Sequence, residues 1–143
     1  KFYNMSFEKK TLEIISDFSF FESWEEKYEY LIELGKQKCS LDKGFKTDLN
    51  LVRGCQAKVW LVCKTKNGKL ILQGDSDAII TKGLVGLLIV LFSNSSIKEV
   101  VQSNNSFLEK LGLNKHLSMT RSNGINEMIK KIRLYCSNYL KHE

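Results

Sequence analysis

The chain has 143 residues, 43% of them hydrophobic, and its 22 Lys and Arg against 16 Asp and Glu leave a net charge of +6. That is enough apolar material for one core, so 1–143 is read as a single domain. The longest apolar run, Leu84 to Phe92, falls far short of the roughly 20 residues that cross a bilayer, and the basic residues are scattered with no stripe of interleaved aromatics, which argues against nucleic acid.

From Ser6 to about Asp17, Phe7, Leu12, Ile15 and Phe18 recur at mixed three-to-five spacing and predict a helix with no strong cap. Ser23 can cap the next helix, with Glu26 at the capping-box position, and Trp24, Tyr28, Leu31 and Ile32 form its apolar face up to Gly35. Cys39 to Asp48 has no period and reads as a loop leading into a short strand at Leu49 to Arg53. Beyond Cys55, Val59, Leu61 and Cys63 alternate with Lys58, Trp60 and Val62. Asn67-Gly68 supplies the positive-φ turn of a two-residue hairpin, and its partner strand is Lys69 to Gly74.

Asp75 or Ser76 can cap a helix running to about Phe92, apolar on nearly every side and therefore central. Its Gly83 and Gly86 cost helix propensity and imply that another element approaches closely there. Short helices are expected near Ile97 to Ser103 and Phe107 to Leu111. A last helix follows from Ser122 to about Lys141, with Ile125, Met128, Ile129, Ile132, Cys136 and Tyr139 on its buried stripe. Helices on both sides of a compact run of strands indicate an α+β domain: a three-stranded antiparallel sheet flanked by helices.

Four cysteines without a Cys-x-x-Cys pair make neither a disulfide scaffold nor a paired-ligand metal site, so reduced thiols in a reducing compartment are the simpler reading. No signal peptide stands at the start as given, and Lys1 in place of Met reads as a trimmed or processed beginning. The abundance of Lys, Asn and Ile with no Pro points to coding bias. Cys63 within a strand and Cys136 on the apolar stripe read as small core residues. Cys55 lies between Gly54 and Gln56 at the break between two strands. It reads either as an incidental turn cysteine or as an exposed loop-tip nucleophile whose neighbouring N–H groups could stabilise a thiolate. Cys39, in a loop, is the rival thiol and would partner Cys55 in a redox sensor. Asp75 and Asp77 read first as helix-capping carboxylates, and His116 as a core or helix-end residue as readily as a functional one.

Four strings occur in order along the chain: Trp24-Glu25-Glu26-Lys27-Tyr28 with Leu31-Ile32-Glu33-Leu34-Gly35; Gly54-Cys55-Gln56 with Val59-Trp60; Gly74-Asp75-Ser76-Asp77-Ala78 with Lys82-Gly83-Leu84; and His116-Leu117-Ser118 with Arg121-Ser122-Asn123-Gly124. Together, from about Trp24 to Tyr139, they resemble the SufE/CsdE family of sulfur-acceptor proteins. The resemblance implies a SufE/IscU-like fold and a transferable persulfide on Cys55. It implies a SufS-type cysteine desulfurase as donor and activated partner, and a SufBCD-type iron–sulfur scaffold as recipient. It further implies that Asp77 lies beside the cysteine loop and helps hold its resting position, and that His116 and Arg121 lie near the surface met by the desulfurase. No cofactor is implied for this chain, PLP belonging to the partner, and no metal. A weak homodimer is left open. Bacterial cytoplasm and plastid stroma fit equally. The chain departs from the family in lacking Pro at or beside Met119, which puts the rigidity of that turn in question.

Overall fold

The computed structural model describes residues 2 and 4–143. Seven helices and one hairpin follow in chain order: α1 (Phe7–Ser19), α2 (Trp24–Lys38), β1 (Val59–Lys66), β2 (Lys69–Ser76), α3 (Ile79–Phe92), α4 (Ile97–Gln102), α5 (Ser106–Lys110), α6 (Leu113–His116) and α7 (Met119–Lys141), with 3-10 turns at Lys43–Phe45 and Asp48–Asn50.

The hairpin forms where its turn was expected. Asn67 and Gly68 both take positive φ, 53° and 73°, which matches the right-handed twist of the flanking strands, and the register runs from Lys66↔Lys69 to Val59↔Ser76. Val59 and Leu61 of β1 and Leu70 and Leu72 of β2 are buried, and α3 covers them.

The third strand is not there: among the described residues the sheet has two strands. In the segment read as Leu49 to Arg53, the first residues are wound into the Asp48–Asn50 turn and Gly54 bends the chain away. What remains is a single bridge, Leu51 with Trp60, beside a hydrogen bond from the Val52 N–H to the Val59 carbonyl at 2.8 Å. The α+β class stands with a smaller sheet.

Helix α3 is the centre of the core, with residues 83–88 all buried. Its glycines do what their cost suggested. A Cβ on Gly83 would lie 2.7 Å from the Leu31 carbonyl oxygen, and one on Gly86 2.7 Å from that of Leu34, so α2 and α3 meet backbone to backbone. Ser23 caps α2, its Oγ accepting from the Glu26 N–H at 3.2 Å. Helix α1 is better capped and differently turned than expected. Ser6 Oγ accepts from the Lys9 N–H at 3.1 Å, and the buried face is Phe7, Ile14 and Phe18, with Leu12 58% exposed. Lys10 is buried with them, its Nζ donating to the Ser93 carbonyl and Ser95 Oγ, both at 2.8 Å. Helix α7 lays Ile125, Met128, Ile129, Ile132 and Cys136 on the core, as its stripe predicted. It begins at Met119, one turn before the expected start, because Ser118 caps it: Ser118 Oγ accepts from the Arg121 N–H at 3.2 Å. Among the described residues no helix is long and apolar enough to cross a membrane.

Candidate functional site

The loop from Arg53 to Lys58 leaves the bridge at Leu51 and returns into β1. Its closure is strengthened from outside: the Lys58 N–H donates to Asp77 Oδ1 at 2.9 Å, and the Asp77 N–H donates to the Lys58 carbonyl at 3.2 Å. Asp77 thus clasps the end of the cysteine loop and does not cap a helix. Helix α3 starts after Ala78 with no side-chain cap, while Ser76 Oγ accepts from the Ala78 N–H at 3.3 Å. The capping reading of Asp75 also fails. Strand β2 runs on to Ser76, and the buried Asp75 carboxylate pairs with Lys46 at 2.9 Å and Lys82 at 3.2 Å. Burial pushes the Asp75 pKa up, but hydrogen bonds from Lys46, the Ser76 amide and Lys82 outweigh it and leave a net lowering.

Gly54 takes φ of +90°, a left-handed conformation that bulkier residues resist. That turn does not hold the next side chain out into solvent. Cys55 is half-buried against α7, with Sγ 3.6 Å from the Gly124 carbonyl oxygen. A Cβ on Gly124 would come within 3.3 Å of the sulfur, so the absence of a side chain there makes the seat. Among the described residues the hydrogen-bond partner of the thiol is this carbonyl, an acceptor, and not the N–H groups expected around an exposed tip. Burial, followed by the nearby Glu127 carboxylate, raises the Cys55 pKa. In this seat the thiol is stored rather than ionised.

A cleft of about 310 Å³ opens over the sulfur, lined by Cys55, Gln56 and Ala57 of the loop, Ala78, Thr81 and Leu84 around α3, and Ser118, Arg121 and Met128 around α7. It brings together Cys55, Gln56 and Arg121 of the expected residues, with Gly54 and Asp77 holding the loop. The Arg121 side chain is exposed and has no partner among the described residues. His116 is not in this wall. It ends α6, stacks on Trp24 with ring centroids 4.0 Å apart, and its carbonyl accepts from Tyr28 Oη at 2.9 Å. That ties the first and last of the four strings together, the helix-end reading of His116.

Cys39 does not line the cleft either. It caps the C-terminus of α2, donates to the Lys82 carbonyl at 3.4 Å, and has its pKa pushed up to about 12 by burial and then by Asp75. Cys63 is half-buried, raised to about 12 by burial and then by its neighbour Cys136, which is buried on α7. Among the described residues no group of three or more His, Cys, Asp or Glu side chains is arranged to hold a metal ion. Reading the strings one at a time missed Glu127, whose side chain lies against Gly54; its place one helical turn past Gly124 was the available signal.

A family profile described as SufE, Fe-S metabolism associated domain, matches residues 12–136. The chain belongs to the SufE family. A SufE-like protein of Rhizobium meliloti (strain 1021), itself described as uncharacterised, is 37% identical over 126 residues, covering 85% of this chain and 90% of that protein. The solution structure of a hypothetical protein from Thermus thermophilus superposes with a TM-score of 0.78 over 92% of this chain and 96% of that one, at 19% identity. At that identity the likeness is one of fold, and it agrees with the α+β architecture described above. SufE membership sets the chain in iron–sulfur metabolism as a sulfur-transfer partner.

Proposed function

We propose that this SufE-family protein accepts sulfur on Cys55 from a PLP-dependent cysteine desulfurase and hands it to an iron–sulfur assembly scaffold. The observation that carries the reading is the seat of Cys55: a single thiol on a clasped loop, at the floor of a cleft beside the unpartnered Arg121. On docking, the loop leaves α7 and Cys55 loses its proton. Its thiolate attacks the terminal sulfur of the donor's Cys–S–SH, the donor's S–S bond breaks, and the donor sulfur departs as thiolate and is reprotonated. Cys55 then carries the persulfide, with no net change in the total of oxidised and reduced sulfur. Return of the loop to its half-buried seat shields that persulfide from water and from over-oxidation. Arg121 is suited to an acidic or carbonyl-rich patch on the partner, because a guanidinium presents several donors in one plane. The PLP resides on the donor, a SufS-type enzyme, and a SufBCD-type scaffold is the recipient, in a plastid stroma or bacterial cytoplasm that keeps thiols reduced.

The test is intact-mass spectrometry without reductant after mixing the protein with a cysteine desulfurase, PLP and cysteine. Wild type is expected to gain about 32 Da per sulfur accepted, and Cys55→Ser nothing. Equal gain by both proteins would transfer the role to another thiol, and gain by neither would sink the acceptor reading.

A further inference from the structure

The loop and α7 meet as a two-on-two contact. Gly54 and Cys55 are adjacent in the loop, while Gly124 and Glu127 are three apart on the helix and therefore share a face. Cys55 sits on Gly124, and Gly54 sits under Glu127. A Cβ on Gly54 would lie 2.9 Å from Glu127 Cγ and 3.6 Å from its Cδ, so the stem and carboxyl carbon of Glu127 roof the one loop position that carries no side chain. Glu127 is half-buried, held between loop and solvent.

We infer that Glu127 is a positioning residue that couples the seating of the cysteine loop to the reactivity of its thiol: with the loop on α7, Cys55 is silent, and lifting the loop removes it from the carboxylate and frees the nucleophile. The coupling deepens the sulfur-acceptor reading and rests on it for its purpose, though not for its test. The charged groups on the elements that meet at the cysteine loop are Glu127 and Arg121 on α7, of which Arg121 shares the cleft with Cys55, Arg53 and Lys58 on the loop itself, and Asp77 ahead of α3. Asp77 is engaged by the Lys58 amide. Of these, Glu127 is the one whose charge opposes ionisation of Cys55. A negative charge beside a nascent thiolate costs most where water is partly excluded, as it is in this seat. The geometry therefore makes docking do double duty, since the movement that delivers sulfur acceptor to donor also takes it away from its inhibitor. A protein that must carry a thiol past cellular oxidants gains from such a device, because oxidants and alkylators react with thiolate.

The experiment is the rate of alkylation of Cys55 by iodoacetamide in the free protein, read by mass spectrometry of the Cys55 peptide from pH 6 to 10, in wild type and Glu127→Gln. No desulfurase is present, so the result is independent of whether sulfur is ever accepted. Gln keeps the stem over Gly54 and removes the charge, and a thermal unfolding scan of both proteins shows that the fold is retained. The midpoint of the pH–rate profile is expected to move down in the variant, with alkylation at pH 7.5 faster by about three- to tenfold, because the thiolate is the species that alkylates. Superposable profiles would overturn the inference. So would a rate raised equally at every pH with an unmoved midpoint, which would leave Glu127 a brace for the loop and nothing more.

Discussion

The Cys55 sulfur rests on the backbone of Gly124, 3.6 Å from its carbonyl oxygen, where a methyl group added to Gly124 would lie 3.3 Å from the sulfur. A helix interior is a poor place for glycine, at about 1 kcal/mol relative to alanine, so the seat is maintained against local preference. Gly124→Ala is expected to regain part of that propensity while nudging the thiol off α7, because the loop side of the contact is the side able to move. Thermal unfolding should show no loss of stability, and Cys55 should alkylate several-fold faster than in wild type. A lower unfolding temperature with unchanged alkylation would mean that the thiol cannot yield and α7 has shifted instead.

Asp77 closes the other end of the loop through the Lys58 amide, at 2.9 Å. Asp77→Ala removes an acceptor that carries charge and leaves that N–H to water. Hydrogen exchange at the Lys58 amide is expected to quicken about five- to tenfold, as for one lost hydrogen bond of ~1 kcal/mol. The amides of Leu61 and Leu72, deep in the hairpin, should keep their protection. Exchange that quickened throughout β1 and β2 would mark Asp77 as a support of the sheet rather than of the loop.

How far the molecule could be read from its sequence follows from how local each signal is. Asn67-Gly68 dictates its own turn, Ser23 and Glu26 lie within one turn of the helix they start, and the glycines of α3 announce a close neighbour without naming it. The strand expected at Leu49 to Arg53 failed because nothing in its own residues reports the Asp48–Asn50 turn or how far the Gly54 bend carries the chain off the sheet edge. Asp75 was misread for a related reason. Its helix-capping position was plausible locally, but the hairpin register extends β2 through it, and Lys46 and Lys82 reach it from elements far apart in sequence. Glu127 could be set on the face of Gly124 from their spacing, but its contact with Gly54 spans 73 positions and is made only by the docking of α7 on the loop. The place of Cys55 between a glycine bend and β1 was legible, but its half-buried seat on Gly124 was not.

The Asp75 pairings make a pH-dependent contribution whose sign is fixed by the direction of its shift. Its folded-state pKa is lowered from 3.8, so the stabilisation is fully present above the unfolded value and is lost as pH falls through the lower folded value. Both lysines are about one-third exposed, 31% and 35%, so solvent screens the pairs and the contribution at neutral pH is about 1–2 kcal/mol. Asp75→Asn should therefore unfold at lower temperature than wild type at pH 7, with the gap narrowing below pH 4. Thermal scans from pH 2 to 7 on both proteins decide it. A gap independent of pH would assign the loss to packing rather than charge.

Met119 occupies the first position of α7, 80% exposed, where SufE relatives were expected to carry proline at or near this turn. The turn holds without it because Ser118 caps the helix, accepting from the Arg121 N–H at 3.2 Å. Proline would fit there on three counts. The first helical position needs no N–H donor, Ser118 already has the extended backbone that a residue before proline prefers, with φ −58° and ψ 159°, and the exposed methionine side chain gives up little packing. Met119→Pro should stabilise the protein by roughly 0.4–1 kcal/mol, acting mainly on the unfolded chain, and raise the unfolding temperature by about 1–3 °C. Because a proline that fits the first position leaves the turns carrying Arg121 and Gly124 in place, the same variant should leave the Cys55 alkylation rate unchanged. A fall in unfolding temperature would show that the start of α7 is shaped differently from a regular first turn, and that the missing proline reflects a real change in this corner of the cleft.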